Sequence, residues 1–272
     1  MHAKKSHLPL SVKQSGIYLR LRASFLYDVY LKLTNRRILE GRDREIEFYR
    51  ALLTGFKPGG LIFDIGAYIG DRTDVFLRMG ARVVAVDPDE QNQAILRERF
   101  LRYRLRPKSV TIVGKAVGAK AGSETMLVCG PGSVFNTLSR KGAGNASEGE
   151  KKIVATTTLE ELIDACGLPF FVKIDVVGFE LEVLQGLRRP VPFLSFEIEI
   201  AAFRQELIEC IAILERLAPR GQFNYTCDRR NGMVLENWLE AAQFSQVLRD
   251  FEGCREGCLE VFWRTISGDH VF

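Results

Sequence analysis

The sequence predicts an α/β protein built on a doubly wound, mainly parallel sheet. Short apolar or β-branched runs alternate with helical patterns from residue 58 onward. Strands that are separated by helices imply right-handed crossovers, which give parallel pairing. The length of 272 residues suits one sizeable domain with an appendage. The 46% hydrophobic and 26% charged residues match globular averages and exclude a disordered or fibrous chain.

The individual elements follow from apolar periodicity and from the glycines that bound it. The predicted strands are 61–65, 82–86, 110–113, 125–128, 170–174, 193–197 and a last one at 259–263. The predicted helices are 73–79, 90–104, 159–165, 179–187 and 204–217. Residues 130–149 hold five glycines and few aliphatics, so they predict a long loop that serves as a lid or recognises an acceptor.

Residues 1–50 predict a basic, helical N-terminal extension, and residues 51–272 predict the main domain. Residues 1–37 carry eight lysines or arginines against one acid, Asp28, which gives +7 and leaves 4 − 7 = −3 for the remainder. Apolar and basic residues mix between Gly16 and Leu33 as in an amphipathic helix. Two interpretations stay open. The extension attaches to an anionic surface or partner, or it packs on the main domain or in a homodimer contact.

Cysteine and histidine usage limits the chemistry. The six cysteines are scattered, which predicts reduced thiols, a cytoplasmic protein and no structural metal. His2, His7 and His270 lie near the chain ends, so a base in the folded core should be a carboxylate, Lys, Tyr or Cys. We expect no membrane span, since no uncharged apolar run approaches ~20 residues. We also expect no nucleic-acid partner, since aromatic interleaving and known binding modules are absent from the sequence.

The sharpest motif is a glycine turn after the first predicted strand. It reads DIGAYIG from Asp64 to Gly70 and leads into a helix. Glycine permits positive φ and the close approach of a ligand. Asp87 ends the second predicted strand, where a carboxylate can accept both ribose hydroxyl protons of a nucleoside.

The acid ahead of the turn favours S-adenosylmethionine over NAD. A dinucleotide motif reads G-x-G-x-x-G, whereas this turn reads D-x-G-x-x-x-G. A carboxylate at Asp64 would repel a pyrophosphate and would suit the ammonium of a methionine moiety. The structural alternative is that the glycines serve helix packing and that Asp64 caps the helix.

A second motif places a lysine inside the apolar run at 170–174. A buried lysine is costly unless it is paired, so we expect Asp175, Glu197 or Glu199 beside Lys173. Without a core histidine, Asp175 is the predicted base or hydroxyl orienter, and a divalent metal on Asp175 is a minor alternative. The predicted catalytic set is Asp175, Lys173, Glu180 and Glu197. A purely structural ion pair at Lys173 stays open.

Together these segments resemble the FkbM family of S-adenosylmethionine-dependent methyltransferases. The resemblance rests on DIGAYIGDRT at 64–73, VVAVDP at 83–88, KAVG at 115–118, NTLS at 136–139, TTL at 157–159 and VKIDVVGFE at 172–180. It covers about residues 60–200 and implies a class I methyltransferase fold, which is Rossmann-like, with about seven strands and an antiparallel last strand. It also implies O-methylation of a small-molecule or glycan acceptor, a sugar or natural-product hydroxyl.

The resemblance places S-adenosyl-L-methionine on particular residues. The predicted cofactor-binding set is Asp64, Gly66, Ala67, Tyr68, Gly70, Thr73, Asp87, Ala116, Val117 and Asp175. Two positions depart from the family, since Tyr68 replaces a common Asn and Val177 replaces a common Glu. These departures keep a non-catalytic cofactor- or partner-binding protein open as an alternative, and an NAD-dependent oxidoreductase is a further one.

Overall fold

A large mixed sheet forms the centre of the protein. The computed structural model describes residues 21–22, 25–104, 109–128, 150–249, 251 and 258–266. The strands are β1 (Leu61–Ile65), β2 (Arg82–Val86), β3 (Val110–Val113), β4 (Ala116–Val117), β5 (Gly122–Val128), β6 (Glu150–Thr157), β7 (Phe171–Ile174), β8 (Phe193–Glu199), β9 (Gln222–Thr226), β10 (Leu239–Glu240) and β11 (Cys258–Arg264). The helices are α1 (Phe25–Thr34), α2 (Arg36–Leu52), α3 (Asp71–Arg78), α4 (Glu90–Arg99), α5 (Leu101–Arg104), α6 (Leu159–Cys166), α7 (Glu180–Gln185), α8 (Ile200–Leu217) and α9 (Ala241–Arg249).

The strand order confirms the predicted fold class. The large sheet has the order β10-β9-β11-β8-β7-β1-β2-β3. β3, β2, β1, β7 and β8 pair in parallel, while β11 runs antiparallel between β8 and β9. Apart from the two-residue β10, this is a doubly wound seven-stranded sheet with an antiparallel last strand. β10 adds an eighth strand at the β9 edge that the sequence pattern did not predict.

The strand register brings three chain segments together at one edge of the sheet. Ile65, the last residue of β1, is paired with Val86 of β2 and with Ile174 of β7. The residues one position further along are therefore neighbours at the carboxyl ends of the strands. They are Gly66, Asp87 and Asp175. Ligands of open parallel sheets bind outside this edge.

Helices cover both faces of the sheet, because successive strand residues point to opposite sides. Phe63 of β1 packs in a cluster with residues of α6, α7 and α8, whereas Ile62 packs in a cluster with residues of α2, α3 and α4. Strands that are buried on both faces read as nearly continuous apolar runs. This is why the central strands could be located from the sequence.

The N-terminal extension contacts the main domain. Helix α2 runs through the predicted boundary at residue 50, and Tyr49 is buried with its ring 5.0 Å from that of Phe76. Asp28 of α1 pairs with Arg42 at 2.8 Å and with Arg78 of α3 at 2.7 Å. The division at residue 50 stays a prediction.

Further findings extend or correct the predictions. A small second sheet has the order β4-β6-β5. Its strand β6 follows directly on the glycine-rich segment and was not predicted from the sequence. The predicted loop at 130–149 and the three histidines lie outside the described residues. Cys227 is disulfide-bonded, against the expectation of reduced thiols, because pairing between distant cysteines cannot be deduced from their spacing. None of the described helices is long and apolar enough to span a bilayer.

Candidate active site

A cavity opens where β1, β2 and β7 end. Its lining comes from the glycine turn, the end of β2, the small sheet and the segment after β7. The lining residues are Ile65, Gly66, Tyr68, Val86, Asp87, Pro88, Asp89, Asn92, Lys115, Ala116, Val117, Met126, Asp175, Val176, Val177 and Phe179. We call this space the cofactor cavity.

Asp87 lines the cofactor cavity, and neutral hydrogen-bond donors hold its carboxylate in place. Its carboxylate accepts hydrogen bonds from the backbone N–H of Tyr68 at 2.8 Å and of Asp89 at 2.9 Å, and from Asn92 Nδ2 at 3.1 Å. Burial raises the pKa of Asp87 to about 6, although these donors favour the charged form. The position of this carboxylate is fixed by the turn, the end of the strand and α4 together.

Asp64 lies beneath the turn rather than in the cavity lining. It is 1% exposed, and Thr73 Oγ1 donates a hydrogen bond to its carboxylate at 2.6 Å. Burial raises the pKa of Asp64 to about 6, while Thr73 and the charge of Lys173 act in the opposite direction. Asp64 and Thr73 therefore tie β1 to the first turn of α3.

The two turn glycines serve different neighbours. Both have positive φ, 80° at Gly66 and 84° at Gly70. A Cβ at Gly66 would overlap the carbonyl oxygen of Asp175, whereas a Cβ at Gly70 would lie 2.5 Å from the Phe100 ring and 2.7 Å from Leu96. Gly66 thus brings β7 against the turn, and Gly70 admits the end of α4. Helix packing, the structural alternative for these glycines, accounts for Gly70.

Backbone strain marks Tyr68 and Val177, the two positions at which the sequence predicts departures from the family it resembles. Among the described residues, Tyr68 (φ 50°) and Val177 (φ 40°) are the non-glycine residues with positive φ, and both line the cofactor cavity. The left-handed region is uncommon for such residues and is a genuine outlier for a β-branched one. Strain of this kind costs about 1–3 kcal/mol and concentrates at functional sites.

Lys173 is the centre of the charged part of the site. It is fully buried, and its Nζ lies 3.4 Å from Asp175, 3.6 Å from Glu197 and 3.7 Å from Glu260. Burial alone would lower the pKa of Lys173, but the surrounding carboxylates outweigh it and hold that pKa above its ordinary value. The expected pairing with Asp175 and Glu197 is confirmed. The third alternative, Glu199, is exposed at the end of β8, and Glu260 takes its place.

Glu260 links Lys173 to a second cavity at the same edge of the sheet. Its carboxylate accepts a hydrogen bond from Ser195 Oγ at 2.9 Å and pairs with Arg229. Arg229 also pairs with Glu45 of α2 at 3.3 Å. The second cavity has a strongly charged lining, which consists of Gly41, Glu45, Arg72, Glu197, Thr226, Cys227, Asp228, Arg229, Arg230 and Glu260.

Glu180 is buried at the start of α7 and lines neither cavity. It is 2% exposed and accepts a hydrogen bond from the Gly178 N–H at 3.1 Å. Burial raises its pKa to about 7, and the charge of Asp175 adds to the rise. A carboxyl group with such a pKa exchanges its proton near neutral pH.

The structure thus brings the predicted residues to one region, where some line a cavity and others lie outside the lining. Six predicted cofactor residues line the cofactor cavity: Gly66, Tyr68, Asp87, Ala116, Val117 and Asp175. Four lie outside that lining: Asp64, Ala67, Gly70 and Thr73. Of the catalytic set, Asp175 faces the cofactor cavity, Glu197 faces the second cavity, and Lys173 contacts both.

Several site residues were missed from the sequence. Asp89 and Asn92 could have been found, because Asp89 is the N-cap of α4 and its side chain accepts the N–H of Asn92 at 3.0 Å. Arg99 gave no such signal. It is buried, and it donates to the Ile69 carbonyl at 2.7 Å and to Asp71 at 2.6 Å, which clamps the glycine turn.

The sequence matches the family described as Methyltransferase FkbM domain over residues 64–225, more than half of the chain. The chain belongs to this family. The FkbM match includes the glycine turn, Lys173 and Asp175, and ends in β9. An FkbM domain is a methyltransferase, and its methyl donor is S-adenosylmethionine.

Comparisons outside the FkbM family are distant. No curated protein matches the sequence. The precorrin-6y C5,15-methyltransferase of Geobacter metallireducens is 11% identical, with 83% of this chain and 89% of that chain covered and a TM-score of 0.42. A putative rRNA methylase of Clostridium thermocellum is 11% identical, with 85% and 96% covered and a TM-score of 0.41. A SAM-dependent O-methyltransferase of Thermotoga maritima is 12% identical, with 80% and 63% covered and a TM-score of 0.39.

Proposed function

We propose that this chain methylates a hydroxyl group of a sugar or natural-product acceptor, with S-adenosylmethionine as the donor. The observation that carries the proposal is a fully buried lysine whose carboxylate partners line two cavities. Lys173 Nζ lies 3.4 Å from Asp175 of the cofactor cavity, and 3.6 Å and 3.7 Å from Glu197 and Glu260 of the second cavity. A donor in the first cavity and an acceptor in the second would lie on either side of this charged cluster.

The cofactor cavity suits S-adenosylmethionine in its charge and polarity. Asp87 presents a fixed carboxylate to ribose hydroxyls, as at the second strand of other nucleoside-binding sheets. Asn92 Oδ1 is buried and has no hydrogen-bond partner within the described ranges, so it can accept from the nucleoside. Val117, Met126 and Phe179 supply an apolar wall for the adenine ring.

The protein's part in the reaction is orientation and proton removal. Bound S-adenosylmethionine supplies an electrophilic methyl group on a sulfonium. Asp175 would accept a hydrogen bond from the acceptor hydroxyl and take its proton while the oxygen forms the new C–O bond, the methyl C–S bond breaks and S-adenosylhomocysteine leaves. Lys173 Nζ, 3.4 Å from the Asp175 carboxylate, holds that carboxylate in place. Holding the two reactants in contact supplies a further large share of the acceleration.

The second cavity is the proposed acceptor site. Its arginines and carboxylates already neutralise one another, as in the Arg230–Asp228 pair at 2.7 Å. Such a lining offers donors and acceptors to hydroxyl groups without a strong net field. We therefore infer a neutral, hydroxyl-rich acceptor rather than a nucleic acid.

Two measurements test the proposal. Calorimetric titration with S-adenosylmethionine should show binding that Asp87→Ala weakens at least roughly tenfold, since a fixed carboxylate is lost. Methyl transfer to a panel of monosaccharides, glycans, phenolic natural products and RNA should then identify an acceptor. With that acceptor, Asp175→Asn should lower kcat by roughly 100-fold and leave the cofactor Kd nearly unchanged.

Controls separate the rival functions. Asp164→Asn changes an exposed acid of α6 and should alter neither property. Arg230→Ala should raise the acceptor KM without changing the cofactor Kd. NADH binding without S-adenosylmethionine binding would establish the oxidoreductase alternative. Full turnover of Asp175→Asn would disprove the role of Asp175, and methylation of RNA alone would disprove the acceptor class.

A further inference from the structure

Helix α1 presents an apolar stripe to solvent. Leu26, Val29, Tyr30 and Leu33 are 67%, 40%, 42% and 80% exposed. Their spacings of three and four residues place them on one side of the helix. Ile38, at the start of α2, is 50% exposed. Scattered exposed apolar residues are ordinary, but the four on one side of α1, within residues 26–33, form a surface patch of the kind that marks an interaction site.

The opposite side of α1 is fixed to the body of the protein. Leu31 is 3% exposed, and Asp28 pairs with Arg42 and Arg78. Turning the stripe inward would break these ion pairs and expose Leu31. The outward orientation of the stripe is therefore set by the fold.

The charge around the stripe indicates what covers it. Lys32 of α1 and Arg37 at the start of α2 are exposed, while Arg36 pairs with Glu40 at 2.8 Å. By sequence, residues 1–37 carry +7 against −3 for the rest of the chain. A second copy on the stripe would bring the exposed Lys32 side chains of two chains toward each other, which electrostatic repulsion disfavours. The cytoplasmic face of a lipid bilayer carries the opposite sign and attracts lysines and arginines.

We propose that α1 binds the surface of an anionic lipid bilayer. Leu26, Val29, Tyr30 and Leu33 enter the head-group region, and the basic residues contact the lipid phosphates. A helix with an apolar side and a basic flank lies in this interface plane. Tyrosine suits the boundary because its ring is apolar and its hydroxyl stays wet. With so short a helix, attachment needs both the apolar and the charged contribution, so it is reversible and salt-sensitive.

Vesicle cosedimentation of the full chain tests this surface. The chain should bind vesicles of phosphatidylglycerol and phosphatidylcholine at least roughly tenfold more tightly than phosphatidylcholine alone, because the surface charge contributes. High salt should reverse the binding. Leu33→Glu should weaken it by roughly tenfold or more, because a charge replaces an inserted apolar side chain. Melting curves should show that this variant is folded, since Leu33 is exposed.

A matched variant tests whether the loss of vesicle binding is specific to the stripe on α1. Ile153→Glu makes the same type of change at a side chain that is 77% exposed on β6, remote in sequence from α1, and it should leave vesicle binding unchanged. Equal loss in both variants, or no binding to anionic vesicles, would overturn the proposal. A dimer that Leu33→Glu dissociates without lipid present, measured by sedimentation velocity, would show instead that a second copy covers the stripe.

Discussion

Buried carboxylates near the two cavities have opposite pKa shifts. Asp87 in the lining of the cofactor cavity and Asp64 beneath the glycine turn accept hydrogen bonds from neutral donors, and burial raises the pKa of each to about 6. In the second cavity, burial would likewise raise the pKa of Glu260. There Lys173 and Arg229 outweigh burial and hold that pKa below its ordinary value.

This difference in pKa shifts reflects which carboxylates have a lysine or arginine as a partner. Asp175, in the lining of the cofactor cavity, has Lys173 at 3.4 Å, whereas within the described ranges no lysine or arginine lies at ion-pair distance from Asp87. The charged form of Asp87 therefore suits a cationic ligand. S-adenosylmethionine carries both a sulfonium and an ammonium group. The second cavity holds its own cations, and a charged ligand would have to compete with them. The comparison therefore favours a cationic donor in the first cavity and a neutral acceptor in the second.

Among the predicted changes in stability, we expect the largest from the removal of Lys173. Lys173→Met leaves Asp175, Glu197 and Glu260 close together without their shared partner. We expect a loss of about 4 kcal/mol in the free energy of unfolding, as for other broken buried charge networks. Urea denaturation measures it.

The pH dependence of this loss distinguishes charge from packing. Lys173 helps to hold the pKa of Glu260 below its ordinary value, so without Lys173 that folded-state pKa rises and stability falls as the pH rises through it. The deficit should therefore be larger at about pH 8 than at about pH 5. Lys152→Met removes an exposed partner of Glu90 and should change little at either pH. A deficit that does not depend on pH would refute the electrostatic explanation.

Asp64→Asn should raise the free energy of unfolding, whereas Lys173→Met should lower it. The pKa of Asp64 is raised from 3.8 to about 6, so the folded state binds the proton more tightly and loses stability as the pH rises through this window. Two pKa units at 1.36 kcal/mol each correspond to about 3 kcal/mol. The variant, whose amide oxygen can still accept from Thr73, should thus be more stable by up to about 3 kcal/mol above pH 6.

That gain should disappear by about pH 3, where the wild-type carboxyl is protonated in the folded state and largely so in the unfolded state. Denaturation curves of wild type and variant across this range provide the measurement. The exposed Asp164→Asn serves as the control and should show no such trend. If Asp64→Asn were destabilising at high pH, the carboxylate would have a cationic partner, and the contrast between the cavities would be wrong.

The sequence predicted the cofactor side better than the second cavity, for a physical reason. Gly66, Asp87 and Asp175 each follow a strand whose apolar run is visible locally, and parallel pairing then places them together. Glu260 reaches Lys173 only because β11 runs antiparallel beside β8, which pairs it with Glu197. Arg229 lies in a short turn of residues 229–231 without any periodic pattern. Contacts that depend on register and loop geometry leave no local signal.

Gly66→Ala tests how closely the glycine turn packs against the end of β7. Its Cβ would overlap the Asp175 carbonyl oxygen, at a φ of 80°. Gly59→Ala has a similar φ of 87° with nothing within 4 Å of its Cβ, so it measures the conformational penalty alone. We expect Gly66→Ala to be less stable than Gly59→Ala by about 2 kcal/mol, since a backbone contact must open. Equal losses would mean that the turn and β7 separate freely.

The smallest predicted effect concerns strain at the rim of the cofactor cavity. Val177 has a φ of 40°, and Asn tolerates this region better than a β-branched residue. Val177→Asn should therefore raise the free energy of unfolding by about 1 kcal/mol, measured by thermal denaturation. Val234→Asn makes the same change at a half-exposed position that is not among those with positive φ, and it should bring no gain. A gain confined to Val177 would show that the strain belongs to the cofactor side, where burial also keeps Asp64 and Asp87 from their ordinary pKa values. A loss there would mean that contacts of the valine side chain outweigh the strain of its backbone.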